Sequence, residues 1–195
     1  MEKLIRIAII GSRETPVPVM GEMYRTLLWV IPILISKGYK IIFTSGGCWK
    51  GPDQLLFTFA HHGTYGKHAQ VEFQCYLPDE RKVRWLKEQH PNVEFIVAPD
   101  TPERREHVRR LHPYPSKLND FMWLLHGRNC NIISGADLQT HVDYVYYNAE
   151  LRPDGLPKGG TYMGVAYAKD RGIKTITHGV NGEEVKWIEE LKLLS

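Results

Sequence analysis

The chain opens on a run of β-branched and apolar residues, Leu4 to Ile10, that stops at Gly11-Ser12-Arg13. An apolar run of this length, interrupted only at Arg6, is what a strand buried on both faces of a parallel sheet requires, and the polar stop marks its carboxyl end. The pattern then changes period. Met20 to Ser36 is apolar with scattered polar residues and stops at Lys37-Gly38, which predicts a helix with a glycine C-cap and one proline, Pro32, in its interior. Lys40 to Thr44 predicts a second strand that runs into Ser45-Gly46-Gly47. Gly51-Pro52-Asp53 then starts a helix to about His62, because proline suits the first turn and a carboxylate suits the positive end of the helix dipole. A third strand is expected over Val71 to Tyr76, a helix over Glu80 to Gln89 and a fourth strand over Val93 to Ala98. Thr101 to His126 is charged and helical in pattern but interrupted by His112-Pro113-Tyr114-Pro115, which predicts two helices joined by a stiff turn, the second ending at Arg128-Asn129. Val142 to Tyr147 and Ile173 to Thr177 complete the strands; Gly159-Gly160 opens a helix to about Arg171, and Glu183 to Leu194 closes the chain as an amphipathic helix.

Strands alternating with helices imply right-handed crossovers, and hence an α/β fold: a single Rossmann-like three-layer domain over residues 1–195 with a mostly parallel sheet. Ligands of such sheets bind at the carboxyl ends of the strands. That rule singles out Gly11 to Arg13, Ser45 to Gly51, the loop after Tyr147, and Gly159 to Thr161.

Composition changes this picture little. A length of 195 residues, 43% hydrophobic and 24% charged, is that of one ordinary globular domain. The net charge of +3 admits an anionic partner without demanding one. Three widely spaced cysteines, Cys48, Cys75 and Cys130, form no disulfide framework or zinc knuckle pattern and suit a reducing cytoplasm. The most apolar stretch, Leu27 to Ile35, is short for a membrane span, and Met1-Glu2-Lys3 leads into a strand instead of a signal peptide, so no membrane partner is expected.

The two glycine loops carry the candidate chemistry. A glycine pair between a buried strand and a helix lets the backbone approach an anion while the free amides of the helix start hold its charge. Ser45-Gly46-Gly47 with Gly51 and Asp53, and Gly159-Gly160-Thr161, both have this layout. Gly11, Ser12 and Arg13 lie on the same sheet edge, and Arg13, Lys50 and the Arg128-Asn129 pair are candidate phosphate partners. A cation at Arg128 is equally what a helix C-terminus favours, and His126 on that turn is read as packing. Tyr162, beside the second loop, is the candidate for stacking on a base. The histidines show no ligand spacing, so no metal and no cofactor is expected, and Cys48 has no partnered histidine that would make it a nucleophile.

In order, Ile9 to Arg13, Thr44 to Gly47 with Gly51-Pro52-Asp53, Tyr76-Leu77-Pro78, His112 to Pro115, Leu125 to Asn129, Gly135 to Leu138, and Gly159-Gly160-Thr161 with Ala168 and Gly172-Ile173 resemble the Rossmann-like superfamily that joins the DNA-processing protein DprA to the LOG phosphoribohydrolases, most closely the short DprA-like proteins of bacteriophages. The resemblance implies that the first glycine loop and Arg128 meet a phosphate, and it implies a cytoplasmic homodimer in a bacterial or phage-infected cell. Phosphoribohydrolases carry a glutamate three residues after the threonine of the second loop; here no glutamate occurs from Gly159 to Asp170. The first loop is one residue longer than the family's spacing, through Cys48-Trp49-Lys50.

Three functions are compatible with these features. One is a nucleotide or phosphate-binding protein of the DprA/LOG superfamily, with or without a reaction at the N-glycosidic bond, for which Glu14, Asp53, Asp137 and Asp154 are the candidate carboxylates. The second is a DprA-like mediator binding single-stranded DNA, and the third a sensor of a nucleotide-derived signal that it does not turn over.

Overall fold

The computed structural model describes residues 3–194. Six strands, β1 (Lys3–Gly11), β2 (Tyr39–Ser45), β3 (Val71–Leu77), β4 (Glu94–Val97), β5 (Tyr144–Asn148) and β6 (Lys174–Thr177), form one sheet in the order β4-β3-β2-β1-β5-β6. Every pairing is parallel, with Ile7 opposite Phe43 on one side and Tyr144 on the other. The chain builds outward from β1 to β4 and then crosses back to lay β5 on the free side of β1. The topological switch, and the crevice it opens, therefore lie between β1 and β5.

Seven α-helices cover the two faces: α1 (Val17–Ser36), α2 (Gln54–Ala60), α3 (Val83–Gln89), α4 (Pro102–Leu111), α5 (Asp120–Ser134), α6 (Thr161–Asp170) and α7 (Glu183–Leu193). The alternation along β1 sorts them. Ile5, Ile7 and Ile9 point into one core with Leu27 and Ile31 of α1, Leu56 and Phe59 of α2 and Trp187 of α7. Ala8 and Ile10 point into the other, with Val108 of α4, Cys130 and Ile133 of α5 and Met163 and Tyr167 of α6. These two buried layers make the architecture an α/β, Rossmann-like three-layer domain.

Helix α1 is long and apolar enough to cross a membrane by length and composition. Its apolarity is partly accounted for by packing, because Met23, Leu27, Val30, Ile31 and Leu34 are buried against the sheet while Trp29 stays 67% exposed. It runs through Pro32 and begins three residues before Met20, at the Pro16-Val17-Pro18 start.

The largest departure from the sequence pattern is α5, which runs through Arg128-Asn129 to Ser134 and stops at Gly135, whose N–H donates to the Asn131 carbonyl at 2.8 Å. Gly127-Arg128-Asn129 is thus mid-helix and not an end, so the helix dipole gives no reason for a cation at Arg128. Burial of Cys130, Asn131, Ile132 and Ile133 overrides the weak helix propensity of the Gly-Arg-Asn segment. Gly127 is required there because a Cβ would lie 2.8 Å from Nε of Arg104, a buried cation that fastens α4 to α5 by donating to Asn131 Oδ1 at 3.1 Å.

Candidate functional site

The carboxyl ends of β1, β2 and β3 open under α5 and the start of α6 into a cavity of about 820 Å³, within the size range of small-ligand sites. Its wall has two chemically distinct halves.

The polar half is built by the two glycine loops and α5. Arg128 is 8% exposed and lines the cavity, yet it forms no salt bridge with any described residue and its Nε has no hydrogen-bond partner. Gly46 makes room for it: a Cβ there would stand 1.3 Å from Arg128 Nη1. A desolvated guanidinium with no ion pair, facing only the longer-range attraction of Asp53, is costly unless an anion completes it. Gly159 (φ 68°) and Gly160 turn the chain into α6 on the same wall, and Thr161, the first residue of that helix, presents a second buried and unpartnered polar atom, its Oγ1. The Asn129 side-chain amide donates to the Gly160 carbonyl at 3.1 Å and so ties the second loop to α5. The start of a ten-residue helix and a buried arginine thus line the same cavity.

Asp53 lies in this half, 7% exposed. Ser45 Oγ donates to its Oδ1 at 3.1 Å, and the Cys48 amide donates to its carboxylate. Burial pushes its pKa up to about 6 in spite of the neighbouring Arg128 charge and these two hydrogen bonds. His126, also on the wall, is 7% exposed with its Nδ1 unpartnered and its ring 4.5 Å from that of His112; burial, then the His112 and Arg128 charges, push its pKa down to about 4.

The other half is apolar and aromatic. Pro78 after β3, Trp85 and Leu86 on α3, and Phe121 and Leu125 on α5 line it, while Leu77 and Ile132 lie against Gly47 and Gly46 and join the two halves. Trp85 and Phe121 are 58% and 46% exposed, although residues of this size are normally packed away. Trp49, Arg81 and Lys82 stand at the mouth; the Arg81 guanidinium lies 5.2 Å from the Phe121 ring centre and pairs with Asp79 at 2.6 Å.

Of the residues singled out from sequence, Gly11, Ser12, Arg13, Gly46, Gly47, Asp53, Arg128, Asn129, Gly159, Gly160 and Thr161 come together on this cavity. Ser45, Lys50, Gly51 and Tyr162 are not on its wall. Ser45 is buried beneath Asp53, and Gly51 seats the first loop on Ser12, whose carbonyl oxygen would lie 2.2 Å from an added Cβ. Lys50 lies over the Trp49 ring at 4.7 Å, and the Tyr162 ring packs against the Arg152 guanidinium at 5.4 Å. Two of the four candidate carboxylates are engaged elsewhere. Asp137 caps a turn through Gln139, Thr140 and its hydroxyl, which lower its pKa to about 2, and Asp154 pairs with Arg152 at 2.8 Å. Glu14 and Asp53 line the cavity, joined by Asp79. Trp85 and Phe121 belong to no motif in the sequence and join the wall only because α3 and α5 bring them to the cavity.

Among the described residues no group of three or more His, Cys, Asp or Glu side chains is placed to hold a metal ion. Comparison with protein-family models, curated proteins and solved structures gives no significant match to this chain.

Proposed function

We propose that this protein binds a nucleotide, its phosphate at Arg128 and the amides of the Gly46-Gly47 and Gly160-Thr161 turns, its base against the apolar wall of Trp85, Leu86, Phe121 and Leu125. The observation that carries this reading is Arg128: a buried, unpaired guanidinium facing a cavity into which two glycine turns also open. A phosphate supplies the missing direct partner, and its three acceptor oxygens match guanidinium and amide donors. An inorganic anion would satisfy this pole alone; the aromatic half gives a reason for a base on the same ligand. This is the function expected of a member of the DprA/LOG superfamily, and the ordered motifs support that membership.

The geometry favours binding over a reaction at the N-glycosidic bond. The second glycine loop contributes no carboxylate, and the buried Asp53 lies at the pole assigned to the phosphate, where it has no sugar to act on. Exposed Trp49, Trp85 and Phe121 interspersed with Arg13, Arg81 and Lys82 also suit a second reading, single-stranded DNA laid across the mouth.

Calorimetric titration with nucleoside 5′-monophosphates, the corresponding nucleosides, ribose 5-phosphate and a short oligonucleotide separates these. Nucleotide binding that exceeds both fragments supports the proposal; binding of the oligonucleotide alone, with affinity falling steeply in salt, replaces it with the second reading. Free base appearing during prolonged incubation would add a reaction.

A further inference from the structure

We propose that the anion enters this pocket together with one proton, taken from solvent by the Asp53 carboxylate, so that the occupied site holds a neutral carboxylic acid beside the phosphate. The inference rests on the nucleotide-binding reading above and deepens it by assigning the site its ionic bookkeeping.

The geometry sets the problem. Arg128 and Asp53 line the same polar wall, and Asp53 is buried with its acceptors used by Ser45 Oγ and the Cys48 amide. In the empty site the two opposite charges offset one another at long range without forming a salt bridge. A phosphate that takes over Arg128 removes the cation that, among the described residues, holds Asp53 ionised, and puts a like charge against it in a desolvated space. Two anions in one such site cannot both stay ionised cheaply. A proton on Asp53 resolves the conflict and converts an acceptor into a donor toward a phosphate oxygen.

The groups around Asp53 come from four directions. Arg128 faces it from α5, Ser45 from β2, the Cys48 amide from the first loop, and the Cys75 thiol from β3. Cys75 is neutral throughout the accessible range, since burial pushes it up to about 12. Farther along the wall stand Arg13 and Glu14 from the first strand's loop, and Asp79 with its partner Arg81 from the third. Two other groups could take the proton. His126 starts at about 4 against about 6 for Asp53, so Asp53 needs the smaller push. The AMP phosphate, with a second pKa of about 6, is told apart from Asp53 by the Asp53→Asn variant, which would leave its uptake intact.

Linkage turns this into a measurable slope. With Asp53 titrating near 6 in the free protein and higher in the complex, affinity is highest below that point. It falls by up to about tenfold per pH unit above it, until the pKa of the occupied state is reached.

The experiment is calorimetric titration of AMP at pH 7.5 in buffers of different ionisation enthalpy, which counts protons directly. The wild type is expected to take up close to one proton per AMP, and Asp53→Asn close to none while still binding. An infrared difference spectrum of the wild type should show the carbonyl band of a protonated carboxyl appearing on AMP binding, a readout that needs no variant to fold and that protonation of His126 would not produce. Binding without proton uptake, or uptake that persists in Asp53→Asn, overturns this proposal and leaves nucleotide binding standing. Absence of AMP binding to the wild type overturns both.

Discussion

Replacing Asp53 by asparagine should stabilise the ligand-free protein, and only above a definable pH. A carboxylate whose pKa is raised by folding is a liability when ionised: here the rise from 3.8 to about 6 corresponds to about 3 kcal/mol at any pH above both values. That figure is already net of the Arg128 attraction and the two hydrogen bonds. The native state holds its proton more tightly than the unfolded chain, so wild-type stability falls as pH rises from 3.8 through about 6 and is level beyond. Asparagine keeps an acceptor for Ser45 Oγ and the Cys48 amide and carries no charge, but its amide hydrogens need an outlet into the cavity. The expected gain is therefore about 1–3 kcal/mol at pH 7.5, shrinking toward zero near pH 4. Urea denaturation of both proteins at the two pH values measures it, and the difference cancels every other carboxylate that titrates over the same range. Equal stabilities at pH 7.5, or a difference that does not change with pH, would refute the placement of an ionised, desolvated Asp53.

Gly46→Ala should abolish the thermal shift produced by AMP, because its Cβ would occupy the space of Arg128 Nη1, at 1.3 Å, and drive the guanidinium off the wall. Trp85→Ala and Phe121→Ala should each weaken AMP binding by about five- to one-hundred-fold while leaving ribose 5-phosphate unchanged, the range expected for one lost base-stacking contact; equal losses for both ligands in titration would mean that these rings shape the cavity without touching a base. Asp137→Asn should cost about 0.5–1 kcal/mol at neutral pH, a figure discounted for the exposure of the turn. The cost should vanish in denaturation curves as pH falls through the folded-state value of about 2, because a depressed carboxylate stabilises only while ionised.

The sheet was legible because parallel strands buried on both faces leave mostly apolar runs: Leu4 to Ile10, interrupted at Arg6, lies within β1, and Lys40 to Thr44, apolar from Ile41 to Phe43, within β2. The glycine loops were legible for a related reason, since a close approach between backbone and a neighbouring group leaves glycine as the residue of choice, as Gly46 does for Arg128. What the pattern hid depends on contacts between distant segments. The continuation of α5 past Gly127 goes with burial of Cys130 to Ile133 and with Arg104, far back on α4, filling the space that the glycine leaves. Trp85 and Phe121 become a wall only when α3 and α5 converge over the end of β3. Tyr162, adjacent to the second loop in sequence, turns instead toward Arg152. Proximity along the chain to a glycine turn did not decide which aromatic faces the cavity: Trp49, beside the first loop, lines it and Tyr162, beside the second, does not.

The claim that Arg128 completes a phosphate site is tested most directly by the affinity of AMP for Arg128→Met, which keeps the aliphatic stem packed on α5 and removes the charge. Loss of one charge-assisted contact to a phosphate predicts a weakening of about thirtyfold or more, with adenosine binding unchanged and the fold intact by circular dichroism. AMP affinity equal to that of the wild type would contradict the account, since the buried guanidinium would then have no part in holding the ligand.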